Sequence, residues 1–339
     1  MQIIDAETEI NKPSVSWQTQ LKDAIRTPEA LCNFLGLDNS VWQAEAQEGH
    51  TLFPIRVPLA YARRIQAGNP DDPLLRQILP TTHETDSIQG FTNDPLEEAE
   101  HTPRPGLIHK YHNRVLLIAS GGCAVNCRYC FRRHFPYQEN MPSRAEWHDT
   151  LEYVHQHPEI TEVILSGGDP LLSTDDRLAQ LITCIEQIPH VARLRIHTRL
   201  PVVIPDRVTK ALCQRLSSSR LQRVVVLHIN HPAEIGKDVI SAVQRLSSAG
   251  ITVLNQSVLL RDINDSVDVL ATLSEQLFAA GIMPYYLHVL DPVAGAAHFD
   301  VPDNEAVELV DELRTHLAGF LVPKLVREIP GRLSKTPLY

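Results

Sequence analysis

Long apolar runs are missing from this 339-residue chain. A membrane-crossing helix needs about 18 to 20 consecutive apolar residues, and no stretch supplies them. The opening MQIIDAETEI is acidic. It lacks the basic flank and apolar run of a secretory signal, so a cytoplasmic protein with no membrane partner is expected. Positive charge is also short: 31 Lys and Arg stand against 41 Asp and Glu, a formal net charge of -10. Clustered Lys and Arg are what hold a phosphate backbone, so nucleic acid is not expected as the main partner, although a basic pocket can sit inside an acidic protein. Cysteine is scarce, with six in the chain. Cys32, Cys184 and Cys213 stand alone, and the latter two fall in amphipathic helical stretches where they read as buried structural thiols. Cys123, Cys127 and Cys130 crowd into eight residues. In a reducing compartment that crowding reads as metal binding rather than as a disulfide.

What is present is enough chain for a large core, and a repeating pattern. The length suits a βα barrel with an extension. Residues 1–100 are irregular, with short helical segments at 17–26 and 28–35 between proline- and acid-rich stretches. From residue 115 onward, strands at 115–119, 162–166, 193–198, 223–229, 251–260 and 284–290 alternate with helices at 144–155, 178–188, 205–216, 232–249, 267–280 and 304–318. Gly250 is placed to close one of those helices. Six βα units of roughly thirty residues each predict a parallel sheet backed by helices. Six units suit an open or partial barrel, with its active site at the C-terminal ends of the strands.

Two motifs fall at such ends. After the first strand comes Cys123-Ala-Val-Asn-Cys127-Arg-Tyr-Cys130. Three thiolates at this spacing can converge on one metal centre. Structural zinc usually takes four protein ligands; no fourth Cys lies nearby, and His134 is a candidate for the fourth. A [4Fe–4S] cluster normally takes four cysteines, and three leave one iron open for a substrate. After the second strand comes Ser166-Gly167-Gly168-Asp169-Pro170. Glycines permit close backbone approach to a ligand, although this segment alone is an ordinary turn. A third candidate, Lys335 in a loop with Pro and Gly, reads by itself as a solvated lysine.

Three cysteines leaving one iron open resemble the radical S-adenosylmethionine superfamily, whose pattern includes an aromatic residue before the last cysteine, here Tyr129. The segments PGLIHKYHNRVLL (105–117), CAVNCRYCFRR (123–133), SGGDPLL (166–172), RLPVVIPDRV (199–208), HINHPAEI (228–235), NQSVLLRDIND (255–265) and HVLDPVAGAAHF (288–299) are together similar to lysine 2,3-aminomutase. The resemblance implies an α/β fold: a partial (βα)6 barrel of radical S-adenosylmethionine type over 101–320. A mainly helical N-terminal extension (1–100) packs on it, and a short C-terminal segment (321–339) carries the cofactor lysine. It implies a [4Fe–4S] cluster on Cys123, Cys127 and Cys130. It implies S-adenosylmethionine held by Ser166, Gly167, Gly168 and Asp169, with Tyr129, His228 and Gln256 beside it. It also implies pyridoxal 5′-phosphate joined to Lys335 as a Schiff base.

For the substrate, Arg132 matches the family's carboxylate-binding arginine, whose guanidinium suits a carboxylate bidentately; the bland alternative is a solvated Arg132-Arg133 pair. Asp291 matches a holder of the lysine ε-ammonium, or else is a turn aspartate. Glu328 stands where the family has aspartate, one methylene longer. Arg114, with Lys110 and Tyr111 nearby, either grips the pyridoxal phosphate or marks a basic strand edge. His228 and Gln256 are otherwise ordinary core residues. Two acids argue for lysine over glutamate as substrate.

The implied reaction is an isomerisation: the α-amino group of L-lysine trades places with a β-hydrogen, giving (R)-β-lysine. The family's larger members continue past the cofactor lysine with a cysteine-rich zinc segment and carry a further zinc cysteine where this chain has Ser266, so structural zinc is not expected. The shorter form is similar to aminomutases that supply β-lysine for elongation factor P. That implies L-lysine as substrate, an unspecified reductant protein, and a functional link to the factor and its lysyl ligase; homo-oligomerisation stays open. The alternatives are the same reaction serving lysine breakdown or β-lysine synthesis, and a non-catalytic metal-binding protein. The enzyme should be brown with iron and sulfide, the metal binder colourless and zinc-loaded.

Overall fold

The computed structural model describes residues 15–38, 47, 49–140 and 144–339; the acidic opening at 1–10 lies outside them. Among the described residues there are nine strands: β1 (Leu107–Tyr111), β2 (Arg114–Ser120), β3 (Glu162–Gly167), β4 (Arg193–Thr198), β5 (Gln222–His228), β6 (Thr252–Val258), β7 (Met283–His288), β8 (Lys324–Arg327) and β9 (Thr336–Pro337), of which β2 to β7 are built by apolar and β-branched runs. They are hydrogen-bonded in chain order from β1 to β9. The strands from β2 to β8 are parallel, and β1 and β9 run antiparallel along the two edges.

The six βα units are present as expected. Helices Arg144–His155, Asp175–Glu186, Lys210–Ser217, Lys237–Ser248, Val267–Ala279 and Asp303–His316 follow β2 to β7 in turn. Three of these starts are set by hydroxyl caps: Thr174, Thr209 and Ser266 accept hydrogen bonds from the N–H groups of Arg177, Leu212 and Val269. Two helices begin later than the sequence pattern suggests, because Pro205–Arg207 and Pro232–Glu234 form separate 3-10 turns. The expected helix at 178–188 begins earlier, at Asp175 behind its cap, and that at 17–26 ends at Lys22. Strands β1, β8 and β9 carry no signal of their own: LIHKY, KLVR and TP are short and interrupted by basic or helix-neutral residues.

Cys213 is buried as expected, but Cys184 is exposed. The buried stripe of its helix is Leu178, Ile182 and Ile185. Cys184 lies off that stripe, because a 3.6-residue period turns position i+6 away from i, i+4 and i+7.

Strand alternation divides the sheet into two faces. In β4, Leu194 and Ile196 join the core under the helices, while Arg193, Arg195 and His197 face the opposite side. On β4 the concave face is therefore polar, while Leu116, Ile164, Val224 and Leu254 from neighbouring strands add apolar wall, and the sheet encloses a cavity rather than a packed barrel core. The N-terminal segment shares the outer core, since Trp17, Leu31, Val57, Tyr61 and Leu75 belong to the same apolar cluster as Leu200 and Val203. Each fully buried aliphatic side chain of this kind contributes roughly 1.5–3 kcal/mol. Among the described residues, no helix is long and apolar enough to cross a membrane.

Candidate active site

The C-terminal ends of the strands open on a cavity of about 640 Å³. Every candidate site residue from the sequence except His134 lines it. The cysteines and Tyr129 come from the loop after β2, Ser166 to Asp169 from the end of β3, His228 from β5 and Gln256 from β6. Asp291, Glu328 and Lys335 come from beyond β7 and β8. His134 does not reach the cavity: it is exposed, and its Nε2 lies 3.1 Å from the carbonyl oxygen of Ala294.

The cysteine loop is held from outside by the N-terminal segment. Arg56 Nη1 donates to the carbonyl of Cys123 at 2.9 Å, and Asn126 Nδ2 to that of Pro54 at 2.7 Å. Arg128 has no exposed surface. It donates through Nε to Glu84 Oε1 at 2.7 Å and through Nη1 to the carbonyl of Phe53 at 2.5 Å. Arg133 reaches the same Glu84 carboxylate. The reading of Arg132 and Arg133 as a solvated pair is overturned, since both side chains are buried.

Burial pushes the Cys123 thiol well up, helped by the neighbouring Cys130, Asp169 and Cys127. Burial and the Cys127 charge raise Cys130 to about 11. Thiols that raise one another in this way favour a bound cation, which removes the repulsion between thiolates. Among the described residues, no three His, Cys, Asp or Glu side chains close around one ion. Tetrahedral zinc gathers its thiolates within about 2.3 Å of one point. An iron–sulfur cluster wants them farther apart, because each thiolate binds its own iron. The donor set of three thiols on one cavity wall fits the cluster.

The Gly-Gly-Asp segment is clipped to the turn that precedes Cys123. Gly168 N donates to the carbonyl of Ser120 at 2.8 Å, and Asp169 N to that of Gly122 at 2.7 Å. A Cβ at Gly168 would sit 2.1 Å from Gly122 O, and one at Gly167, where φ is +114°, would sit 2.6 Å from Ser120 O. Two backbones pack where no side chain fits. Asp169 is committed internally: it accepts from the Thr198 hydroxyl at 2.7 Å and from the N–H groups of Leu171, Arg199 and Leu200 at 3.0, 2.8 and 2.9 Å. It shapes the loop; the Ser166 hydroxyl lies beside the cavity, and the Gly167 carbonyl accepts from the Tyr137 hydroxyl at 2.8 Å.

Tyr129 stacks on His228 with ring centroids 5.6 Å apart, and its hydroxyl lies 3.0 Å from His228 Nε2. Burial, and then the Arg199 charge, lower His228 to about 3. Burial likewise holds His197 and His288 well below the usual histidine range. The cavity therefore carries three uncharged imidazoles. His197 Nε2 and Arg195 Nε are buried with no hydrogen-bond partner among the described residues.

At the far end, Lys335 Nζ lies 2.8 Å from Glu328 Oε2, and the Tyr111 hydroxyl donates to Glu328 Oε1 at 2.5 Å. The solvated reading of Lys335 is replaced by an ion pair facing the cavity. Burial opposes the charge on Glu328, but Lys335 and the Tyr111 hydrogen bond hold its carboxyl below the usual range. Among the described residues Asp291 has no such fixed partner, and burial raises it to about 7 despite the pull of Lys335. The Arg132 fork is engaged bidentately by Glu98, at 2.7 Å on both oxygens, with Nη1 left toward Ser166 Oγ at 3.3 Å. Lys110 is tied to the carbonyl of Leu96 at 2.6 Å, whereas the Arg114 guanidinium lies 4.1 Å from the centre of the Tyr111 ring. A primary amine on Lys335, the Arg114 guanidinium and unpartnered donors on the same cavity wall fit a phosphorylated aldehyde cofactor.

Sequence reasoning missed Gln77, Glu84, Glu98, Arg199 and Glu234. Arg199 donates to Cys127 Sγ at 2.7 Å, to Gln77 Oε1 at 2.7 Å and to Glu234 Oε2 at 2.8 Å. The only signal available for Arg199 was its place after the third predicted strand.

Residues 117–273 match the family model described as the Radical SAM superfamily. Over 330 residues the chain is 53% identical to the L-lysine 2,3-aminomutase of Escherichia coli (strain K12), covering 97% of this chain and 96% of that protein. It is 48% identical over 336 residues to the protein of the same name from Haemophilus influenzae, covering 99% of each. The L-lysine 2,3-aminomutase of Clostridium subterminale is 36% identical over 323 residues, which are 95% of this chain and 77% of that protein.

Proposed function

The chain belongs to the L-lysine 2,3-aminomutase family of radical S-adenosylmethionine enzymes, and on that premise we propose that it makes (R)-β-lysine with pyridoxal 5′-phosphate on Lys335, for the modification of elongation factor P. The family carries the isomerase activity, the [4Fe–4S] cluster and S-adenosylmethionine. The pyridoxal cofactor, the product stereochemistry, the residue roles and the product's destination are the proposal. The observation that supports it most is that Lys335, Glu328 and Asp291 share one cavity with the three cysteines.

When bound, the cluster and S-adenosylmethionine supply the radical that removes hydrogen from the substrate, and pyridoxal phosphate supplies a π system across which nitrogen moves. The protein's part is position and charge. Cys123, Cys127 and Cys130 hold the cluster. The carbonyls of the Gly167-Gly168 turn and the Ser166 hydroxyl take the methionine ammonium, and Tyr129, His228 and Gln256 wall that pocket. Arg114 would hold the cofactor phosphate. Arg132, steadied by Glu98, offers its remaining Nη1 edge to the substrate carboxylate. Asp291 holds the substrate ε-ammonium. Glu328, already bonded to Lys335 and Tyr111, keeps the cofactor lysine aimed inward. Uncharged His197, His228 and His288 avoid repelling a substrate that carries two ammonium groups. The elongation factor P destination is supported by the similarity to short-form aminomutases.

The test is anaerobic turnover of carbon-13 L-lysine by cluster-reconstituted protein with S-adenosylmethionine, pyridoxal phosphate and reductant, followed by NMR. β-Lysine should appear and should vanish when either small cofactor is left out. Cleavage of S-adenosylmethionine to 5′-deoxyadenosine without β-lysine would refute the lysine assignment. Adding elongation factor P and its lysyl ligase tests the destination: the factor should gain a lysyl mass only when the aminomutase is present.

A further inference from the structure

We propose that Arg199 sets the reduction potential of the cluster through its hydrogen bond to Cys127, and that Glu234 moderates that effect. This rests on the reading of Cys127 as a cluster ligand. Arg199 follows β4 and is 7% exposed. Its backbone N–H is fixed by Asp169 Oδ2 at 2.8 Å. Nη1 lies 2.7 Å from Cys127 Sγ and 2.8 Å from the Tyr129 hydroxyl. Nη2 lies 2.8 Å from Glu234 Oε2. Glu234 has no exposed surface. It is itself held by the N–H groups of Asn230 and His231, at 2.9 and 3.2 Å. The guanidinium is thus held to the sulfur through Nη1 and to its counter-charge through Nη2.

The electrostatics follow. A low-potential one-electron donor passes one electron to the oxidised cluster; the donor is oxidised, and no bond is made or broken. The electron adds negative charge to iron and sulfur. A donor hydrogen bond and a cation at a ligating sulfur stabilise that charge and raise the potential. Burial amplifies the effect, since the surroundings are poorly polarisable. The Glu234 carboxylate opposes it, at longer range.

Three variants of the full chain separate these contributions in an EPR-monitored redox titration of the reconstituted cluster. Arg199→Met removes the donor and leaves Glu234 uncompensated. The ratio of reduced to oxidised cluster at a fixed poise should fall about tenfold or more, about 59 mV for a one-electron couple. Glu234→Gln keeps the shape and leaves the arginine charge unopposed, so the potential should move the other way. Arg199→Lys keeps the charge and should fall between wild type and Arg199→Met. Potentials that stay put, or that move in one direction in both Arg199→Met and Glu234→Gln, overturn the proposal when iron content matches wild type. If Arg199→Met fails to load iron, Glu234→Gln decides alone: a rise supports the proposal, and no change or a fall overturns it. Wild-type protein that takes up no cluster would defeat the ligand reading, and this inference with it.

Discussion

Burial without a fixed partner raises the carboxyl of Asp291 to about 7. Above that pH the free protein presents a carboxylate to the substrate ammonium; below it, a neutral acid. A bound ammonium favours the charged form, so binding lowers this pKa and is itself weakened by acid. kcat/KM for lysine should therefore rise about tenfold per pH unit below about pH 7, to the extent that Asp291 governs it, and level off above. Asp291→Asn should flatten that limb and lower kcat/KM by roughly 30-fold or more, matching the ~2 kcal/mol or more lost when a buried charge loses its partner. A steep acid limb that survives in Asp291→Asn would assign the titration to another group. At this scale the sequence showed the cysteines, because their spacing is local, and pointed to Lys335 only through the resemblance carried by the rest of the chain. It did not show Glu98 or Arg199, whose partners Arg132 and Cys127 lie 34 and 72 residues away. Nor did it show that Asp169, named by its motif, serves its own loop.

Elements were legible where their apolar period was strong. The strands from β2 to β7 and the helices between them follow from alternation, and their ends follow from caps and prolines. β8 forms along the edge of β7, β9 along the edge of β8, and β1 along the edge of β2. The exposure of Cys184 was settled by the phase of its helix, not by its amphipathic composition. The joint between elements most sensitive to change is the contact of Gly168 with Gly122. Gly168→Ala would place a methyl 2.1 Å from a backbone oxygen. Neither side can yield without moving the turn before Cys123. Destabilisation of about 1–3 kcal/mol by urea unfolding is expected, together with less iron per chain after reconstitution. Unchanged iron loading would show that the cysteine loop does not depend on this contact.

Across the whole molecule, the N-terminal segment supplies carboxylates to the arginines that follow the cysteines. Glu84 meets Arg128 and Arg133, and Glu98 meets Arg132. Removing one partner of a buried pair leaves an uncompensated charge, which costs about 3–5 kcal/mol. Glu84→Gln should lower stability by about that much and speed proteolysis between the segment and the barrel, as urea unfolding and limited trypsin digestion would show. A loss below ~1 kcal/mol, the range of exposed pairs, would mean that the segment is not tied down through Glu84. The sequence by itself determined the βα alternation, the three-cysteine motif, the Gly-Gly-Asp turn and the family resemblance, since each is written in neighbouring residues. Tertiary structure alone decided which charges neutralise one another, how far the sheet extends at its edges, and that Lys335 faces the cysteines across one cavity. Those depend on contacts between residues far apart in the chain, and no local period or spacing encodes them.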